Sequence, residues 1–293
     1  MELRHLRVFG EVVRCGGFSA AAKALGSTQS TVSKIVSQLE HDCGEPLLNR
    51  LPNGVSITSA GEVVLRRGRA MLAEQEGLAT ELDALRGLEV GHLRIGVPLM
   101  GSHLLFAPLI AAYRQRHPGI RIELLEEGSR RLEAAVLSGE IEVGVSLLPG
   151  PESFSCHVVC NEPMMAVLPV RHPLARRESI RLKELGGSSC IFFERAFASD
   201  AAITAACRRH GIELVEAARS SQPNFMLALV AGGIGIALVP RLIVARPPQG
   251  VKAVLIDEPD FRWRLGVSWR GDAPLSPAAR RWIDLVREKY PID

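Results

Sequence analysis

The sequence predicts an α/β protein built in two unlike parts joined by one long helix. Three observations predict it. The first 58 residues hold three short helical segments, each with an apolar stripe, followed by a hairpin signal. Residues 59–88 then repeat apolar positions every seven residues. From Gly91 onward strand-like and helix-like segments alternate, and the alternation runs twice.

In residues 3–14, Leu3, Leu6, Phe9, Val12 and Val13 fall at helical spacing. Gly16-Gly17 ends that helix. Ser19 is placed to cap the next helix, which is rich in alanine and stops at Gly26. Ser27 or Thr28 precedes a third helix over about 30–43, with Val32, Ile35, Val36 and Leu39 on its apolar side and Gly44 after it. Asn53-Gly54 sits between two short extended runs, so a two-stranded wing follows.

Val64, Met71, Leu78 and Leu85 lie seven apart, and Leu65, Leu72, Ala79 and Leu82 widen the stripe. A helix of about 28 residues spans roughly 42 Å, too long for a lone surface helix of a small domain. Such a helix usually packs against a copy of itself, so Val64, Met71, Leu78 and Leu85 are the candidate dimerisation seam. The plainer alternative is a helix lying along its own chain. Gly68 and Gly77 weaken the helix and also permit close backbone approach.

The remainder reads as a clamp of two α/β lobes. The first series is a strand near 93–97, a helix over 104–118, a strand over 120–128, a helix over 129–140 capped by Ser129 and stopped at Gly139, and a strand over 141–149. The second is strands near 164–170 and 189–193, a helix over 196–211, a strand to 220, a helix over 223–233 and a strand to 240. A late strand near 263–269 crosses back, and a helix over 276–290 closes the chain. The expected domains are thus 1–58, a linker helix 59–89, and a clamp 90–293. Lobe one takes about 90–160 and 266–293, and lobe two about 161–265.

Composition restricts the function. A net charge of +3 permits a polyanion partner without requiring one. No stretch approaches ~18 uninterrupted apolar residues, so no membrane span is expected. The opening residues carry charges where an export signal needs an apolar core, and the six cysteines are scattered. Both favour a cytoplasmic protein with reduced thiols. Cys156 and Cys160 flank His157, but no further ligands follow at zinc-like spacing, so no metal or cofactor is expected. No GxSxG, P-loop or HExxH occurs, and the glycines of AGGIGIAL precede a strand instead of following one. An enzyme is therefore a weak alternative.

Two short helices joined by GSTQ form a helix-turn-helix. Ala20, Ala21, Ala22 and Ala24 let the helices approach, and Leu25 and Val32 fill the angle between them. The second helix presents Ser30, Thr31, Ser33, Lys34, Ser37 and Gln38 on its open side. Short donors and acceptors with one cation suit a helix entering a major groove. Ser19, Gln29 and Arg50 complete the candidate contacts to double-stranded DNA. The Lys and Arg residues of 1–58 are 4, 7, 14, 23, 34 and 50, against acidic residues 2, 11, 40, 42 and 45. That near balance predicts modest nonspecific affinity per protomer, with two-site binding by a dimer making up the rest.

These residues carry a resemblance. The chain resembles a LysR-type transcriptional regulator over its full length. The matching pattern includes Leu6, Phe9, Gly17-Phe18-Ser19, Ala21-Ala22, Leu25, Gln29, Val32-Ser33, Ile35, Leu39-Glu40, Gly44, Pro46-Leu47, Arg50, Thr58 and Gly61. The resemblance implies a winged helix-turn-helix, a dimerising linker helix and a clamp similar to periplasmic binding proteins whose cleft takes a small co-inducer. It also implies a homodimer or homotetramer, with RNA polymerase as a candidate partner. Ser30 stands where the family often has proline, Leu48 where phenylalanine is common, and Ile141-Glu142 where Leu-Asp is preferred.

Ligands of α/β sheets bind beyond the carboxyl ends of strands, near helix starts. The loop Pro98, Leu99, Met100, Gly101 and Ser102 fits that rule and the resemblance alike, as does Ser129. By resemblance, Phe193, Phe197, Gln222, Pro223 and Asn224 supply the second lobe's side. Two helix starts suit an anion, and the apolar Pro98, Leu99 and Met100 suit an apolar portion of the same ligand. His103 and Arg195 are candidate charge partners. A solute-binding protein of a transporter shares such a clamp, but the export signal is missing and about 90 amino-terminal residues are extra.

Overall fold

The computed structural model describes residues 1–51, 54–85, 90–195 and 197–291. Three helices open the chain: α1 (Leu3–Cys15), α2 (Phe18–Ala24) and α3 (Gln29–Cys43). Gly16 at φ 67 and Gly44 at φ 73 end α1 and α3 in the left-handed conformation, where a side chain would be strained. α2 begins one residue earlier than expected. Gly17 flanks it, so Ser19 lies inside its first turn and caps nothing. α3 is capped by Thr28, whose hydroxyl oxygen accepts from the Thr31 amide at 3.2 Å.

Strands β1 (Leu48–Leu51) and β2 (Gly54–Ile57) form the wing, with Leu48 opposite Ile57 and Leu51 opposite Gly54. The hairpin residue Asn53, like Pro52, lies outside the described residues. Two tethers set the wing's angle. The Val55 amide donates to the Gly16 carbonyl at 3.1 Å. The Glu40 carboxylate accepts from the Leu47 and Leu48 amides at 2.8 and 3.2 Å. Leu6, Phe9, Val12, Val32, Val36, Leu39 and Leu47 form the core between these elements.

The linker α4 (Ser59–Leu85) leaves the wing and crosses α1. Val64, Leu65 and Leu72 pack on the helix-turn-helix core. The approach is close. A Cβ on Gly68 would stand 3.0 Å from Leu6 Cδ2, and one on Gly61 would run into the Leu47 carbonyl oxygen. Gly77 meets nothing within 4 Å.

The clamp contains β3 (Gly91–Pro98), α5 (Ser102–Leu105), α6 (Ala107–Arg116), β4 (Ile120–Glu127), α7 (Ser129–Leu137), β5 (Val143–Leu147) and β6 (Phe154–Pro169). It continues with β7 (Ser179–Ile180), β8 (Ser189–Phe193), α8 (Ala198–Arg209), β9 (Val215–Ser220), α9 (Pro223–Ala231) and β10 (Ile236–Pro240). β11 (Val251–Ile256), β12 (Arg262–Arg270) and α10 (Pro277–Lys289) complete it. The strands run in the order β4-β3-β5-β12-β6-β10-β8-β9, with β11 on β6 and β7 on β11. β3 is parallel to β4 and β5, and β8 is parallel to β9 and β10.

β6 is far longer than the strand expected near 164–170. Its residues 154–163 pair with β12, and its residues 164–169 pair with β10 and β11. β12 already pairs with β6 at Arg262, so the return to lobe one begins before 266. β11 is a strand the periodicity did not announce. The helix expected over 104–118 breaks at Phe106 into α5 and α6. Ser129 is the first residue of α7 rather than its cap, which is Gly128. In lobe one, Tyr113 and Trp282 pack edge to face at 5.6 Å, and the Tyr113 hydroxyl donates to the Ala278 carbonyl at 2.8 Å, fixing α10 to α6.

Cys160, Cys190 and Cys207 are buried, and burial pushes the Cys160 thiol up to about 12. Such thiols stay protonated and poorly nucleophilic. No group of three or more His, Cys, Asp or Glu residues gathers to hold a metal ion among the described residues. No helix among them is long and apolar enough to cross a membrane.

The Gly61–Leu47 contact yields a prediction. Gly61→Ala should destabilise the amino-terminal unit by about 1–3 kcal/mol, because the added methyl meets backbone that cannot turn aside. A thermal or denaturant melt of the variant checks this, and an unchanged midpoint contradicts it.

Candidate DNA interface and effector cleft

α3 has two unlike faces. Val32, Val36 and Leu39 are buried. Gln29, Ser30, Lys34, Ser37 and Gln38 are exposed, with Thr31 and Ser33 half-buried beside them. The periodicity that buries one side of the helix therefore delivers the other to solvent as a polar strip. Thr28 organises its first turn, its hydroxyl lying 3.0 Å from Ser30 Oγ and 2.8 Å from Thr31 Oγ1. Gln38 is engaged along the helix, donating to Asp42 at 2.9 Å. Ser19 is exposed near the start of α2. Arg50 on the wing stands over the Phe18 ring, 5.4 Å from its centroid, so wing and helix-turn-helix hold one cation between them. Thr28 and Phe18 were legible as a helix cap and as a match to the family pattern, but not as organisers of this surface.

The linker residues do not share one open seam. Val64 packs on its own core, and Met71 sits beside lobe one. Leu78 and Leu82 are exposed, at 61% and 45%. Leu85 is the last described residue of the helix, and its side chain lies outside the described residues.

In the clamp, the carboxyl ends of β3 and β9 face a common cavity of about 300 Å³. Leu99, Gly101, His103 and Leu104 line it from lobe one, and Ser221, Gln222, Pro223, Asn224 and Ile243 from lobe two. Gly101 is left-handed at φ 80, and an added Cβ would lie 3.4 Å from the Trp263 ring. Only glycine turns there without strain. Across the cavity α9 starts at Pro223, and its first-turn amides have no carbonyl a turn earlier to bond.

Leu99, Gly101, Gln222, Pro223 and Asn224 are thus brought together. His103 joins them, and the remaining expected contacts do not. Pro98 and Met100 are buried, Met100 in the clamp's core. Phe193 is fully buried, 6.3 Å from the half-buried Phe197 between ring centroids. Both aromatic residues serve packing at the end of β8. Arg219 fixes that end, donating to the Phe193 carbonyl at 2.6 Å, to Asp200 at 2.7 Å and to Glu216 at 2.9 Å. The Ser102 hydroxyl donates to Glu126 at 3.3 Å, and Ser129 does not line the cavity. Arg195 is 80% exposed and 4.0 Å from Glu216. Leu104, Ser221 and Ile243 carried no local signal. Ile243 reaches the cleft because of where β10 ends.

Comparison with known proteins agrees with this architecture. Residues 3–62 match the model of the bacterial regulatory helix-turn-helix protein, lysR family, and residues 86–291 match the LysR substrate binding domain. The chain is 31% identical over 286 residues to an uncharacterized HTH-type transcriptional regulator of Bacillus subtilis, YwbI, covering 97% of this chain and 95% of that one. Full-length OxyR from Pseudomonas aeruginosa, in a cysteine-substituted form, shares the fold with a TM-score of 0.77 at 21% identity, over 98% of this chain and 95% of that one. Full-length BenM does so with a TM-score of 0.61 at 25% identity, over 99% and 97%. Together these two models cover most of the chain, which belongs to the LysR family, as a DNA-binding transcriptional regulator with an effector-binding domain.

Proposed function

We propose that this regulator reads its operator with the polar strip of α3 and the Arg50 wing. It acts as a cytoplasmic homo-oligomer joined through the outer part of α4, and it is switched by a small organic acid held between the lobes. The observation that carries the reading is the cavity walled by loops of both lobes at the carboxyl ends of β3 and β9. A ligand there contacts both lobes at once, so it has differential affinity for their arrangements, as a switch requires. Leu99, Leu104, Pro223 and Ile243 favour an apolar body. The start of α9 and His103 favour an acid group. The acid group belongs on the α9 side, because Glu126 already holds the Ser102 hydroxyl. RNA polymerase is the remaining partner of the proposal, as the receiver of the switched state.

The DNA reading is tested on α3. Changing Ser33 and Lys34 together to alanine should remove site selection, at about 1–3 kcal/mol per lost base contact, with the melting profile unchanged. An unaltered footprint on the native operator contradicts it. For assembly, Leu78→Glu places a charge where the proposed seam closes. Sedimentation should then show smaller species together with weaker operator binding. For the cleft, a thermal-shift screen of metabolites on the full chain supplies a ligand. Asn224→Ala should weaken that ligand by about 0.5–1.5 kcal/mol, whereas Ser102→Ala should leave it nearly unchanged. Equal loss in both variants, or in neither, moves the site elsewhere.

A further inference from the structure

A second cavity, of about 520 Å³, opens where α4 lies against lobe one. It shares no lining residue with the cleft between the lobes. Its volume falls in the range of small-molecule pockets, roughly 300–1,000 Å³. The α4 wall carries Arg67, Met71 and Glu74, which are spaced to share one helical face. The lobe wall carries Val136, Ile141 and Leu275. Met71 is 46% exposed although it faces its own chain, so a large apolar side chain is left uncovered there.

The polar walls are already held in place. Arg69 donates to Ser138 at 2.9 Å and lies 4.0 Å from Glu140. Both oxygens of Glu142 accept from Ser276, from its amide at 2.8 Å and its hydroxyl at 3.0 Å. Arg270 donates to the two oxygens of Asp272 at 3.0 and 3.1 Å. These groups are engaged with protein and keep the walls rigid. Arg67 is exposed, and the nearby Asp272 carboxylate is engaged at both oxygens by Arg270, which leaves Arg67 to meet a ligand. Glu74, also exposed, lies two turns farther along α4. A monoanion would therefore sit at the Arg67 end, away from Glu74, with its apolar part over Met71.

We propose that this cavity is a second ligand site, taking a small organic acid with an aromatic or branched apolar body. The acid group meets Arg67, and the body packs on Met71, Ile141 and Leu275. One wall belongs to the DNA-binding arm and the other to the effector domain, so a bound ligand holds the two together. It biases the angle of the linker without entering the effector cleft.

Anilinonaphthalenesulfonate, an apolar body with one acid group, is a suitable probe on the full-length protein. Fluorescence titration should give a saturable site that Arg67→Gln weakens about tenfold, the loss expected for one charge-assisted hydrogen bond. Ala73→Trp fills the cavity and should abolish that site. Hydrogen exchange with bound dye should slow at 67–74 and 136–142. The proposal is overturned if the dye finds no saturable site, if Arg67→Gln titrates as wild type, or if protection is confined to 99–104 and 221–224. It is also overturned if Ala73→Trp changes sedimentation but not dye binding, since the cavity is then a contact between copies. Should Ala73→Trp fail to fold, the exposed Arg67 variant and the exchange pattern decide alone.

Discussion

The clamp hangs on one strand. β6 runs as one continuous strand from lobe one into lobe two, pairing first with β12 and then with β10 and β11. At about 3.3 Å per residue its length is on the order of 50 Å. Lobes joined by a shared ladder cannot drift apart as lobes joined by a flexible linker do. They can only twist about it. β12 is the second crossing, and its register slips between Leu265 and Gly266. Such an irregularity increases local bend and twist. The loops after β3 and β9 meet because this ladder holds their strands at a fixed separation.

α4 satisfies three surfaces in succession. Its first turns bury Val64, Leu65 and Leu72 on the helix-turn-helix core, with Gly68 giving room for Leu6. Its middle lies on lobe one through Arg69. Its later turns present Leu78 and Leu82 to solvent. A seven-residue repeat read as one seam is therefore spent on different neighbours along its length. The helix begins at Ser59, as its sequence announced, and is described to Leu85. Periodicity says which side is apolar and not what covers it.

The same distinction runs through the rest of the chain. Helix stops at Gly16, Gly26 and Gly44 were legible because a left-handed residue announces itself locally. The alternating grammar of both lobes was legible for the same reason. β6 was missed in its first half because Cys156, His157, Cys160, Asn161 and Pro163 give no clean alternation. Pairing with β12, which β5 flanks on its other side, makes it part of a sheet regardless. In the cleft, Gly101 follows from the rule that ligands lie beyond strand ends near helix starts, whereas Gln222–Asn224 were named from the family resemblance alone; both line the cavity. Met100 and Phe193 sit in equally suggestive positions along the chain but turn inward, which only packing decides.

The main run of the sheet does not close on itself and ends at β4 and β9; among the described residues the two-residue β7, paired with β11 alone, is a third edge. β4 pairs with β3 alone, and β9 with β8 alone. Each therefore leaves a row of backbone donors and acceptors without a strand neighbour, the kind of edge on which unrelated chains can add. Along β4 the exposed positions include Arg121, Glu123 and Glu126, and along β9 they include Glu216. A newcomer strand would have to strip water from these charges before gaining a single ladder bond. The uncovered Leu124 and Val215 are thus guarded by charged neighbours. At either edge a newcomer therefore meets charge before it meets backbone.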